Sequence, residues 1–188
     1  KMAYVQTPQY YKNYHKNEIT AGAWEQQELF FGPIMVGKDK RESAFICGTN
    51  VIIRRAALDS VGGMVEDNIA EDFLTSLKIQ QKGWKSYYIR EVLSEGLAPE
   101  DLLSYFKQQL RWARGSLEIL FTNNPLFVGG VTLNQRVQYL LSALYYLNGL
   151  IILIDGIMPL LFLFFGLKPV AATTTSFVMC SHHISMLM

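Results

Sequence analysis

Apolar and polar positions change their spacing repeatedly along the chain, and each change marks an element. The alternation from Ala3 to Thr7 predicts a short strand that Pro8 closes. Gln9 to Trp24 is rich in Tyr, Asn and Lys, and Trp24 to Phe31 supports a helical turn or two that Gly32-Pro33 breaks. Gly37 to Glu42 reads as a charged turn. Phe45-Ile46-Cys47 and Val51-Ile52-Ile53 predict two strands meeting at a Gly48-Thr49-Asn50 corner. Arg54 to Val61 reads as a short helix stopped by Gly62-Gly63. An acidic loop, Val65 to Asp72, then leads into a helix from Phe73 to Gln81 that ends at Gly83. Trp84 to Ile89 predicts a strand and Glu91 to Ala98 a loop. Pro99 to Phe121 predicts one amphipathic helix, with Pro99 in its first turn and Glu100 and Asp101 at the positive end of its dipole. Leu102, Leu103, Phe106, Leu110, Ala113, Leu117 and Leu120 form its apolar side. Strands alternating with helices predict an α/β domain.

A different regime begins at Val137. From there to Leu167 the one acidic or basic side chain is Asp155. The run of roughly 30 residues exceeds the about 20 that cross hydrocarbon. It is therefore expected to start in the interface, to tilt, or to kink at Asp155-Gly156 and Pro159, with Asp155 near one end of the span. Asn123-Asn124-Pro125 ends the preceding helix, and Thr132 caps the next. Lys168-Pro169 predicts a tight turn, and Val170 to Met188 the start of a second crossing. The chain begins at Lys1 without an initiator methionine and stops inside this second apolar run, so it reads as a segment of a longer protein.

Composition adds exclusions. A net charge of +1 points to no nucleic-acid partner and to no strongly acidic one. Cys47 and Cys180 lack metal-ligand spacing, and His182 and His183, adjacent on a helix, point about 100° apart with no third ligand beside them. His15 lies in a polar stretch and reads as a solvated surface residue.

Three stretches carry chemistry. Gln108, Arg111 and Trp112 stand at i, i+3 and i+4 and share one helix face. A guanidinium there can take phosphate oxygens bidentately, and an indole can stack on a sugar; the same residues also fit an interfacial helix whose Arg snorkels and whose Trp marks the membrane surface. Glu71 and Asp72 at a helix start suit the dipole as caps, and one of them suits a general base. Gly48 permits close approach of backbone to a ligand, although a plain turn explains it equally.

Taken in order, Phe45-Ile46-Cys47-Gly48-Thr49-Asn50, Ile69-Ala70-Glu71-Asp72, Gln108-x-x-Arg111-Trp112 and Asn124-Pro125-Leu126-Phe127, followed by an apolar hairpin, resemble the processive family 2 glycosyltransferases, the bacterial cellulose synthases among them. The likeness runs from Val5-Gln6-Thr7-Pro8 to the hairpin near Gly166. It implies the C-terminal part of a GT-A domain over residues 1–98, an interfacial amphipathic helix and loop over 99–132, and a transmembrane helical hairpin over 133–188, the second helix truncated. It further implies a multi-pass protein of the bacterial inner membrane with its catalytic domain in the cytoplasm. The donor would be UDP-glucose with Mg²⁺ or Mn²⁺, the acceptor a growing β-1,4-glucan extruded through the membrane, and an accessory periplasmic subunit is among the partners such a protein has. Chitin- or hyaluronan-type and β-1,3-glucan synthases remain alternatives within the family, and a non-catalytic membrane scaffold outside it.

By the same resemblance Asp72 would be the general base and Glu71 would help position it. Gln108 and Arg111 would hold the donor diphosphate. Trp112 would stack under the terminal acceptor sugar, with Cys47, Phe45 and Gly48 near it. Two departures stand out: Ala70 replaces the family's threonine, and the Asp-x-Asp pair that binds metal would precede Lys1. Residues 1–188 are therefore expected to hold no metal ligand and to be inactive alone.

Overall fold

A computed structural model describes residues 1–66 and 68–167. Its contacts divide the chain into one unit, Lys1–Tyr146, and a second that begins at Leu147. The first unit is built on a three-stranded sheet of β1 (Met2–Gln6), β3 (Val51–Ile53) and β4 (Lys85–Tyr88). Strand β1 lies in the middle, antiparallel to β3 with Val5 opposite Ile52 and parallel to β4 with Val5 opposite Tyr87. A parallel pair joins β2 (Tyr10–Tyr11) to β5 (Glu95–Gly96). The helices are α1 (Glu18–Leu29), α2 (Met35–Asp39), α3 (Arg55–Asp59), α4 (Glu71–Gln81), α5 (Leu102–Thr122) and α6 (Leu133–Leu144). The second unit contributes α7 (Asn148–Phe165).

Strand alternation explains the sheet's two faces. Along β4, Ser86 and Tyr88 turn inward while Lys85 and Tyr87 face out. Helix α4 is nearly all buried after its first two residues, with Phe73, Leu74, Leu77 and Ile79 among its core side chains. Its position is fixed by a buried polar knot: the Tyr4 hydroxyl and Gln80 Nε2 each donate to the Ala44 carbonyl at 2.8 Å, and Gln80 Nε2 also reaches Ser86 Oγ at 3.1 Å. Helix α5 is capped by the Asp101 carboxylate, which accepts from Ser104 N at 2.9 Å. It is tied to α1 by a reciprocal amide pair between Gln26 and Gln109 at 3.0 and 2.9 Å.

Several expectations change. Phe45-Ile46-Cys47 forms no strand, because its amides bond to side chains: Ile46 N donates to Ser76 Oγ at 2.7 Å and Cys47 N to Gln6 Oε1 at 3.0 Å. Gly32-Pro33 does not break its helix but sits inside a π-helical segment, Phe30–Ile34, whose wider turn carries the proline and passes directly into α2. Glu71 and Asp72 are the first residues of α4 rather than the end of a loop. Helix α5 starts at Leu102, so Pro99 precedes it, and its Leu102, Leu103, Phe106 and Leu110 side chains are 53–71% exposed instead of buried.

The helical run Leu133–Phe165 spans 33 residues and is long and apolar enough to cross a membrane. A 3₁₀ turn at Tyr145–Leu147 interrupts it, Pro159 lies inside α7, and Asp155 falls in the middle of α7 rather than near an end. The predicted second crossing, Cys180, His182 and His183 lie outside the described residues.

Gln6 is fully buried and is the side chain that substitutes for a missing strand partner. Its amide nitrogen donates to the carbonyls of Thr7 and Thr49 at 2.8 Å, while its oxygen takes Cys47 N–H. Gln6→Leu keeps the volume and strips these bonds together with a longer one to the Asn50 carbonyl at 3.3 Å, each orphaned group costing about 1–3 kcal/mol. A clear fall in melting temperature is expected, and an unchanged one would show that the loop finds other partners.

Candidate functional site

The first turn of α4 presents the two acidic side chains differently. Glu71 is exposed, whereas Asp72 is half-buried. Ala70, at the N-cap, has no side chain with which to accept an amide, and Asn68 Oδ1 instead takes Ala70 N–H at 2.8 Å. The Phe73 amide is left to Asp72 itself, donating to Oδ1 at 2.7 Å. The other carboxylate oxygen faces Gly48. A Cβ on Gly48 would stand 3.3 Å from Asp72 Oδ2, and the backbone there has φ +73°, which favours glycine.

Burial dominates the electrostatics of this cluster. It pushes the Asp72 carboxyl up to about 6, with the Phe73 amide opposing and the Glu71 charge reinforcing the shift. The Cys47 thiol is pushed well up, first by burial and then by the Asp72 charge, with Lys38 opposing. Lys38 is itself buried, which lowers its ammonium to about 8, and it donates to the Gln138 carbonyl of α6 at 2.7 Å. Cys47, Gly48 and Asp72 thus form one cluster. Phe45 supports it from below: its ring is 8% exposed and packs edge-on against Phe73 at 4.9 Å and Phe30 at 6.0 Å.

The second cluster lies on α5. An open groove of about 450 Å³ is lined by Leu97, Pro99, Ser104, Lys107, Gln108 and Arg111, among others. Gln108 also lies beside Tyr11. Trp112 is half-buried and stands outside that lining. Two polar groove residues were not singled out from the sequence, although helical spacing marks them: Ser104 is four residues before Gln108, and Lys107 four before Arg111. Two cations, an amide and a hydroxyl in one groove suit an anionic, oxygen-rich ligand.

The clusters meet through backbone. Gly115, seven residues beyond Gln108 and on the same helix face, packs on Ala70, directly before the acidic pair. Among the described residues no group of three or more His, Cys, Asp or Glu side chains could hold a metal ion. The described residues by themselves therefore offer no donor set for a divalent ion.

The family model described as glycosyl transferase family group 2 matches residues 1–187. The chain is 38% identical over 178 residues to cellulose synthase 1 of Komagataeibacter xylinus, covering 92% of this chain and 11% of that protein. It is 35% identical over 177 residues to the UDP-forming cellulose synthase catalytic subunit of Komagataeibacter sucrofermentans, covering 92% and 23%. With the corresponding subunit of Xanthomonas axonopodis pv. citri the identity is 37% over 153 residues, covering 79% and 21%. The chain thus spans a quarter or less of the length of these curated relatives. A family model that runs nearly end to end over both clusters settles the assignment: the chain belongs to glycosyl transferase family group 2.

Proposed function

We propose that this chain is the base-bearing and donor-gripping segment of a processive, inverting β-glycosyltransferase that moves glucose from UDP-glucose onto a growing β-1,4-glucan. The observation that carries the reading is the Asp72 carboxylate, desolvated against Gly48 and ionising near neutrality at about 6. A sugar hydroxyl is a poor nucleophile at neutral pH, so a carboxylate within reach of its proton is the economical activator. The relatives named as UDP-forming cellulose synthase subunits support the donor and the polymer.

In the proposed reaction the acceptor hydroxyl oxygen attacks the anomeric carbon on the face opposite UDP. The new C–O bond forms as the bond to the diphosphate breaks, and the hydroxyl proton passes to Asp72. Glu71, beside it in the first turn of α4, helps position it. Gln108 and Arg111 hold the diphosphate oxygens, on which charge accumulates as UDP leaves, and Trp112 offers its indole face to the terminal acceptor sugar. Cys47 and Gly48 shape the acceptor side, and Phe45 supports their loop. The 33-residue apolar helical run supports a membrane setting, and we extend the reading to a multi-pass protein of the bacterial inner membrane with a cytoplasmic GT-A domain, a transmembrane hairpin and an accessory periplasmic subunit.

The test uses the complete protein in membranes with radiolabelled UDP-glucose or UDP-N-acetylglucosamine and Mg²⁺, followed by digestion with a β-1,4-specific endoglucanase. Glucose in digestible polymer is the expected result. Incorporation of the amino sugar alone, or polymer resistant to the enzyme, moves the function to a chitin- or β-1,3-glucan-type synthase. Asp72→Asn is expected to cost about 10²–10⁴-fold in transfer while membrane insertion persists, and a near-normal rate removes Asp72 from the base role. Because the base acts ionised, kcat/KM should fall as pH drops through about 6. An acidic limb near 3.8, the unperturbed carboxyl value, would show that Asp72 is solvated in the working enzyme. Trp112→Ala should shorten the polymer, and unchanged product length contradicts stacking.

A further inference from the structure

Gly115 lies in the middle of α5, where glycine costs about 1 kcal/mol relative to alanine. Its backbone is helical, so no left-handed conformation demands it. A Cβ built there would lie 3.1 Å from Ala70 Cβ, 3.2 Å from Ala70 N and 3.4 Å from Ile69 Cγ2. The glycines at 22, 37, 149 and 156, also helical, have nothing within 4 Å of an added Cβ. Gly115 is therefore there for what it touches.

We infer that the Gly115–Ala70 contact is the spacer that sets the distance between the groove face of α5 and the Asp72 carboxylate, making Gly115 a positioning residue for transfer. The inference rests on the glycosyl-transfer reading above. Gln108, Arg111, Trp112 and Gly115 occupy positions i, i+3, i+4 and i+7, so the contact and the candidate ligand-holding side chains share one face. Ala70 cannot retreat alone: its N–H is held by Asn68 Oδ1 at 2.8 Å and its carbonyl accepts Leu74 N–H at 3.1 Å, the first bonds of the turn that carries Asp72. Helix α5 is fixed in turn by Ile119, fully buried one turn further on, and by the Gln26–Gln109 amide pair. An added methyl therefore has to move one cluster relative to the other by a few tenths of an ångström. Reaction rates depend steeply on displacements of that size.

The experiment measures, in membranes holding the complete protein, UDP formed, sugar incorporated into polymer and free sugar released. The ratio of incorporated to free sugar does not depend on how much enzyme folds. Gly115→Ala should lower that ratio about threefold to tenfold and Gly115→Leu about 100-fold, with KM for the donor within about twofold of wild type. Ala70→Gly added to Gly115→Ala removes the nearest contact, the facing methyl, at an N-cap that tolerates glycine, and leaves that with the backbone nitrogen of residue 70, so it should restore part of the ratio. Gly22→Ala is the control and should change nothing. The inference is overturned if Gly115→Ala keeps the wild-type ratio, if Gly22→Ala lowers it equally, or if Ala70→Gly gives no recovery. If Gly115→Leu does not accumulate, the Gly115→Ala and Ala70→Gly pair decides. A wild-type protein that forms no UDP from any sugar nucleotide sinks the transfer reading, and this inference with it.

Discussion

Buried backbone must find hydrogen bonds, and between Ala44 and Thr49 it finds them on side chains rather than on a neighbouring strand. Gln6 supplies a donor to Thr49 and an acceptor for Cys47, Ser76 takes Ile46 N–H, and Tyr4 and Gln80 share the Ala44 carbonyl. Of those four side chains Tyr4 and Gln6 sit on β1 and Ser76 and Gln80 on α4, so the sheet and the helix jointly fix a loop that has no regular structure of its own. The loop's left-handed turn at Gly48 is thereby pressed against Asp72. Side chains that never touch Asp72 thus set the position of the glycine that faces it.

Asp72 also shows which electrostatic effect wins. A carboxylate in the first turn of a helix gains from the dipole and from an amide donor, both of which favour ionisation. Here the Phe73 amide supplies such a bond at 2.7 Å, yet burial outweighs it and the group ionises near 6. Ala70 contributes to the balance. A hydroxyl at that N-cap could take an amide of the first turn, whereas a methyl leaves Asp72 Oδ1 to do so and only Oδ2 turned toward Gly48.

Much of this was legible in the sequence because it rests on local chemistry. The strand at Ala3–Thr7, the Gly48-Thr49-Asn50 corner, the stop at Gly83 and the Thr132 cap all follow from residue types over a few positions. What was not legible depends on tertiary partners. Phe45-Ile46-Cys47 has strand composition, but nothing local reveals that Gln6 and Ser76 will claim its amides. Gly32-Pro33 reads as a break, yet the buried Phe31 and Met35 hold the chain helical through a π-turn. Of the candidate site, the one-face grouping of Gln108, Arg111 and Trp112 was readable from spacing alone. Ser104, Lys107 and Gly115 obey the same spacing and were passed over because each is an ordinary helix-surface or small residue by type.

Helix α5 reconciles two demands that a single face could not meet. Its Gly115 and Ile119 turn toward the acidic turn and the core, while Leu102, Leu103, Phe106 and Leu110 stand exposed near its start. Four large apolar side chains within nine residues form a contiguous patch of the kind that a soluble surface rarely leaves uncovered. Between these faces lies the polar groove with Arg111 and Lys107. A helix held by its core face can keep the groove in register with Asp72 only if the apolar patch does not pull it elsewhere. The Gln26–Gln109 pair and the Gly115–Ala70 contact tie α5 to α1 and to the acidic turn and resist that pull at two separate points.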